Sequence, residues 1–205
     1  MPIVPWPDPA RSGEVRKAAI LPRSFYMRDT VDVARGLLGK LLVHAERAAR
    51  IVEVEAYLGR EDRAAHAWRG ETGRTRVLFG EPGHAYVYLI YGMYECLNLV
   101  AEPAGSPGCV LIRALEPVTG IEAMRTARGA VRRVEDLSSG PGKLTRAMGI
   151  TREHYGRDVT RGSLTVRAWP SSGEEIAVSA RIGITHCKDW PLRFFLRENA
   201  CVSRR

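Results

Sequence analysis

Two glutamates in the segment IVEVEAYLG (51–59), Glu53 and Glu55, are separated by a single residue. On a β-strand alternate side chains share a face, so both carboxylates project the same way, roughly 6–7 Å apart. Ile51 and Tyr57 fall on that face too, while Val52, Val54, Ala56 and Leu58 take the other. Two readings are open. The glutamate face is wet and both side chains are solvated, or a carboxylate beside Tyr57 has a raised pKa and acts as a general base. His66, the lone histidine of the polar segment that follows, is either an ordinary loop residue or a member of the same site. Asn98 in CLNLV and Arg113 in CVLIRAL lie within apolar runs, where a polar group is costly unless paired. Together they suggest one polar pocket opening on the sheet.

Tyr86, Tyr88, Tyr91 and Tyr94 form a dense cluster in HAYVYLIYGMYECLNLV. Such residues pack as cross-strand pairs. At a hairpin tip, however, Tyr91 and Met93 are large exposed residues that need a reason. Proteins acting on the minor groove insert side chains of this kind between base steps, and tyrosine platforms suit a base swung out of the helix. The run SGPGKL (139–144) reads as a helix start with Pro141 in its first turn. Its alternative is a glycine-rich grip on a nucleic-acid backbone, with Lys143 as a Schiff-base nucleophile. A zinc deaminase is disfavoured, because no H-x-E with a later P-C-x-x-C is present. Nor is there a Walker or dinucleotide-type glycine loop.

The elements that must position these residues follow from local pattern. Thr30 caps a helix over VDVARGLL that ends at Gly39. A strand KLLVH and a turn AERAA (45–49) lead into the alternating segment. Residues 59–76 are a long polar loop with one helical turn at Asp62–His66, and a loop of that length is more often functional than not. Two strands joined around Tyr91–Tyr94 make a hairpin, and CVLIRAL is a strand ending at Pro117. Helices follow at IEAMRTAR and GKLTRAMGI, then strands at SLTVRAW, IAVSARIGI and LRFFLR. Residues 1–20, with four prolines, are a flexible N-terminal arm, and residues 21–205 form the domain. The expected architecture is α+β: one domain with a mostly antiparallel curved sheet, flanking helices and a protruding β-hairpin.

Composition narrows the classes. The chain has 205 residues, 45% hydrophobic and 26% charged, with a formal net charge of +8. Of its basic residues, 27 are arginines and four are lysines. It reads as a soluble globular protein, since no run approaches the ~18–20 apolar residues of a membrane span. The first residues lack the apolar stretch of a secretory signal. The charge favours an anionic partner, nucleic acid ahead of a membrane surface. Cys96, Cys109, Cys187 and Cys201 are scattered, form no paired zinc motif, and read as reduced thiols of a cytoplasmic protein.

Read in order, IVEVEAYLG (51–59), AAH (64–66), YVYLIYGMYECLN (86–98), CVLIRALEP (109–117), SGPGKL (139–144) and RIGI (181–184) resemble the alkyladenine (3-methyladenine) DNA glycosylase family. The resemblance runs from about Leu21 to the C-terminus. It implies a base-excision-repair enzyme that removes alkylated or deaminated purines from duplex DNA using water, with no cofactor, no metal and no Schiff base. The substrate class is 3-methyladenine, 7-methylguanine, hypoxanthine and ethenoadenine. It further implies that Glu55 activates the water and that Arg113 and the Ile182 carbonyl hold it. Tyr57, His66 and Tyr88 would flank the flipped base, Asn98 would exclude the 2-amino group of guanine, and Tyr91 would wedge into the duplex. The arginines would serve mostly as backbone phosphate contacts, and the protein would act as a monomer, nucleoid-associated if bacterial. Three features depart from the family pattern: the loop His66–Phe79 is one residue shorter, Trp68 is unusual, and Leu78 replaces a methionine of the animal relatives. Two other readings remain, a glycosylase/lyase using Lys143 and a non-catalytic minor-groove binding module.

Overall fold

In the computed structural model, which describes residues 11–170 and 173–203, the glutamate segment lies in a long inner strand of the sheet. Eight strands are present: β1 (Leu41–His44), β2 (Arg47–Tyr57), β3 (Ala85–Ile90), β4 (Tyr94–Ala101), β5 (Gly108–Thr119), β6 (Leu164–Arg167), β7 (Ile176–Ser179) and β8 (Arg193–Leu196). Five helices accompany them: α1 (Arg11–Lys17), α2 (Arg23–Tyr26), α3 (Thr30–Leu37), α4 (Ile121–Arg128) and α5 (Pro141–Met148). All pairings are antiparallel, in the order β3-β4-β5-β2-β1-β6, with β8 also pairing β2 and β7 pairing β8. This is the expected α+β domain, a curved antiparallel sheet with flanking helices and a hairpin.

β2 takes two partners along one edge, β1 over Arg47–Arg50 and β8 over Glu53–Glu55. The change of partner coincides with register shifts against β5 on either side of Glu53. Bulges of this kind bend and twist a strand locally, which curves the sheet at the position of the glutamates. Val52, Val54 and Ala56 enter the main core with Leu37 of α3 and Leu144 and Met148 of α5. A smaller cluster of Ala67, Leu78, Tyr86, Val100 and Cys109 lies under the 66–79 loop.

Helix α5 braces the base of the hairpin. A Cβ on Gly142 would come within 2.9 Å of the Tyr94 Cβ, so only glycine lets the helix approach β4 this closely. The Thr145 hydroxyl donates to the Glu95 carbonyl at 3.0 Å. At its other end, His44 Nδ1 lies 2.8 Å from the Met148 carbonyl, and His44 Nε2 lies 3.1 Å from Nε2 of His154. The hairpin turn itself donates Met93 N–H to the Ile90 carbonyl at 3.2 Å, with Tyr91 at φ 54° and Gly92 at φ 69°. Positive φ at both central residues is the turn whose twist matches two antiparallel strands.

Several local expectations change. Asp29, not Thr30, caps α3: its carboxylate accepts from Val31 N–H at 2.8 Å and Asp32 N–H at 3.4 Å. Thr30 is the first helical residue and turns its hydroxyl to Glu102. The turn expected over 45–49 shrinks to residues 45–46, since β2 already begins at Arg47. β5 does not stop at Pro117. It passes through to Thr119 where β2 shifts register between Ala48 and Ala49, a place where a missing N–H is tolerated. β7 ends at Ser179, leaving RIGI in a loop. Of the stretch expected as an arm, residues 1–10 lie outside the described residues. Residues 11–17 form α1, whose Val15 packs with Leu41, Val43, Ala48 and Val118. The four cysteines are free thiols. Among the described residues no helix is long and apolar enough to cross a membrane.

Candidate active site

Glu53 and Glu55 do share a face, and it is dry: both are fully buried. The wet-face reading fails because Arg113 of β5, Arg193 of β8, Ser203 and the loop after β7 close over the two carboxylates. Around Glu55, the Ile182 backbone N–H donates to Oε1 at 2.7 Å and the Tyr57 hydroxyl donates to Oε2 at 2.9 Å. The Arg113 guanidinium from β5 lies 3.2 Å from Oε1. Burial raises the Glu55 pKa above its ordinary value and outweighs Arg113, the Ile182 amide and the Tyr57 hydroxyl, all of which lower it.

Glu53 sees the opposite balance. Its Oε1 accepts from Arg113 Nε and Arg193 Nε, each at 2.8 Å, and from the Ser203 hydroxyl at 3.0 Å. Its Oε2 accepts from Ser203 N–H at 2.7 Å. Burial raises its pKa, but Arg113, the Ser203 amide and Arg193 together win and hold it below the usual range. One carboxylate is therefore a fixed anion that orients Arg113, while its neighbour is poised to take a proton. Carboxylates driven apart in this way mark distinct acid–base roles.

Above Glu55 opens a cavity of about 420 Å³. Tyr57, His66, Tyr88, Tyr91, Asn98, Arg113 and Ile182 all line it, so the structure gathers every site residue expected from the sequence at or beneath one cavity. His66 and Tyr88 meet edge-on with ring centroids 4.6 Å apart. His66 Nδ1 lies 2.8 Å from the Tyr86 hydroxyl. Desolvation of the imidazole against these rings, then the Arg74 charge, pushes its pKa down to about 4, so it is neutral at physiological pH. Burial pushes the Tyr88 hydroxyl far above its normal range. Asn98 is buried, donates Nδ2 to the Tyr86 carbonyl at 3.2 Å and faces the Cys109 thiol at 3.9 Å. Its amide orientation is thereby set. The Ile182 N–H thus holds Glu55 itself, a contact beyond the role in holding water that the family resemblance implies for its carbonyl.

Tyr91 stands at the hairpin tip 80% exposed, with Met93 beside it. Lys143 is outside the cavity lining and donates to the Ser139 hydroxyl at 3.4 Å on the surface. Trp68 is half-exposed, with the Arg63 and Arg69 guanidinium carbons 5.1 and 5.8 Å from its ring centroid. Leu78 is buried behind the Tyr86 wall and does not reach the cavity. Among the described residues no group of three or more His, Cys, Asp or Glu side chains is placed to hold a metal ion.

The profile of the methylpurine-DNA glycosylase family matches residues 24–200. The chain belongs to that family. A Methanocella arvoryzae protein named "Putative 3-methyladenine DNA glycosylase" is 52% identical over 91% of this chain and 96% of its own length. Identically named proteins of Methanoculleus marisnigri and Bacillus cereus are 52% and 46% identical, each over 90% of this chain and 99% and 98% of their own lengths. This methylpurine-DNA glycosylase is accordingly a DNA-repair hydrolase acting on N-glycosyl bonds in DNA.

Within the glycosylase site, four residues escaped the sequence reading. Arg193 and Ser203 fix Glu53, and Asp62 and Arg181 form a fully buried ion pair beneath the cavity wall. Asp62 sits between two single helical turns, Gly59–Glu61 and His66–Arg69, where one turn over Asp62–His66 had been expected. The signal available was the arginine before Ile182, in the same motif, but its partner lies 119 residues away. Tyr86, expected in a cross-strand cluster, is the hydrogen-bond partner of His66.

Proposed function

We propose that this glycosylase flips damaged purines out of duplex DNA into the cavity and hydrolyses the bond from C1′ to the base. The purine class is 3-methyladenine, 7-methylguanine, hypoxanthine and ethenoadenine. Glu55 takes a proton from water as the water oxygen bonds to C1′, the electron pair of the broken bond leaves with the base, and an abasic site remains. The observation that carries this reading is a buried carboxylate with a raised pKa, held at three points directly beneath an aromatic cavity. A raised pKa makes the carboxylate a stronger base than an ordinary glutamate, which favours proton abstraction. It also places negative charge where an oxocarbenium-like sugar develops positive charge. Rings of Tyr57, Tyr88 and neutral His66 attract a cationic alkylated purine without repelling it. Asn98, with its amide fixed, would bar the 2-amino group of guanine. Tyr91 would fill the space vacated in the duplex. The reading includes action as a monomer, in the cytoplasm or on the nucleoid, as the family resemblance implies.

The lyase reading finds no support, because no lysine lines the cavity and Lys143 is engaged with Ser139. The test is release of methylated bases from dimethyl-sulfate-treated duplex. Glu55→Gln should still bind the damaged duplex but lose about 10²- to 10⁴-fold in single-turnover rate. Unimpaired release by that variant would remove Glu55 from the mechanism. A borohydride-trapped adduct that vanishes in Lys143→Ala would instead establish the lyase.

A further inference from the structure

The most heavily buried ion pair near the site lies outside the cavity lining, yet it ties together three of the segments that build the site. Arg181 donates through Nη1 to the Ala56 carbonyl at 3.0 Å and to Asp62 Oδ2, and through Nη2 to Asp62 Oδ1 at 2.9 Å. Its guanidinium carbon lies 4.6 Å from the Tyr57 ring centroid. Its Nε finds no acceptor among the described residues. Asp62 in turn accepts from the backbone N–H groups of Leu58 at 3.3 Å and Ala64 at 3.0 Å. That places the end of β2, the loop leading to His66, and the loop carrying Ile182 on a single two-residue clamp. The residue directly after Arg181 is the one whose N–H grips Glu55.

We propose that the Arg181–Asp62 pair is the positioning pair of this site: it holds the Ile182 amide on the Glu55 carboxylate and the Tyr57 hydroxyl and ring in place between carboxylate and cavity. The inference rests on Glu55 being the base. Planar, two-point pairing of this kind is specific to arginine and is not reproduced by lysine. Loss of the clamp frees the 181–184 loop, and Glu55 loses one donor outright and the orientation of another. The groups facing Glu55 are then Arg113 from β5, Glu53 and Tyr57 from β2, and Cys96 from β4.

The experiment measures single-turnover release of methylpurines from dimethyl-sulfate-treated duplex across pH, with duplex affinity determined separately, for Arg181→Met, Arg181→Lys, Asp62→Asn and Glu55→Gln. Misplacement of a reacting group by an ångström costs about 10²-fold, so Arg181→Met and Asp62→Asn should lose about 10- to 100-fold in rate. Their acidic limb should move to higher pH, while duplex affinity stays within about threefold. Arg181→Lys keeps the charge and should restore the limb but not the full rate. Should Arg181→Met fail to fold, Arg181→Lys and Asp62→Asn carry the same comparison. A wild-type rate and limb in these variants, or a rate loss wholly accounted for by affinity, overturns the proposal. Wild-type activity in Glu55→Gln would instead sink the base assignment on which it stands, so the two failures are separable.

Discussion

Glu53 and Glu55 are chemically identical and one residue apart, and their surroundings give them opposite tasks. On the proposed role of Glu55 as the base, it must be ionised to accept a proton, and with its pKa raised the single-turnover rate should fall with acidification from a midpoint above 4.5. A rate–pH profile on methylated duplex checks this; a midpoint below 4.5 would contradict the burial argument. For Glu53 the sign is reversed. A depressed folded-state pKa stabilises the protein above the unfolded value, and that contribution is lost as pH falls through the folded pKa. Glu53→Gln removes the anion that Arg113 and Arg193 share, a change worth about 3–5 kcal/mol. Urea denaturation should reveal that loss at pH 7 and a narrower gap from wild type at pH 3.5. The alternation in IVEVEAYL told which face the glutamates occupy. It could not tell whether that face was wet, because the groups that cover it come from residues 60 to 150 positions away.

At the level of elements, what a short window can encode was readable: the hairpin around Tyr91–Gly92, α4, and α5 entered through Pro141. Where two segments had to agree, it was not. The extension of β5 past Pro117 depends on β2 shifting register opposite it, and the RIGI loop is held by Arg181 pairing with Asp62, 119 residues away. Gly142 joins α5 to the hairpin. Gly142→Ala should cost about 1–3 kcal/mol by overpacking against Tyr94, visible as a lowered thermal midpoint. Tyr91 combines exposure with a positive φ that a non-glycine residue rarely adopts. Tyr91→Gly should therefore keep or slightly raise stability while lowering activity on duplex DNA. If the variant matches wild type on duplex substrate, the tip has no part in opening it.

For the molecule as a whole, some of the arginines behind the net charge of +8 are withdrawn into the fold. Arg50, Arg113, Arg181 and Arg193 are spent internally on Glu116, Glu174, Glu53, Glu55 and Asp62. Affinity for duplex should fall steeply with salt, and removing an exposed arginine at the cavity rim, as in Arg63→Ala, should reduce the slope of log K against log salt by about 1 without regard to sequence. A slope unchanged in that variant would place Arg63 off the DNA path. The tie between Glu53 and Ser203, 150 residues apart, has a consequence for synthesis. Chains fold progressively as they emerge from the ribosome, and here the carboxylate that steadies Arg113 waits for β8 and for residue 203 to emerge. A nascent chain thus carries the aromatic wall of the cavity and the hairpin well before the groups that fix Glu53, and the full set of donors on that carboxylate is present only once residue 203 has emerged.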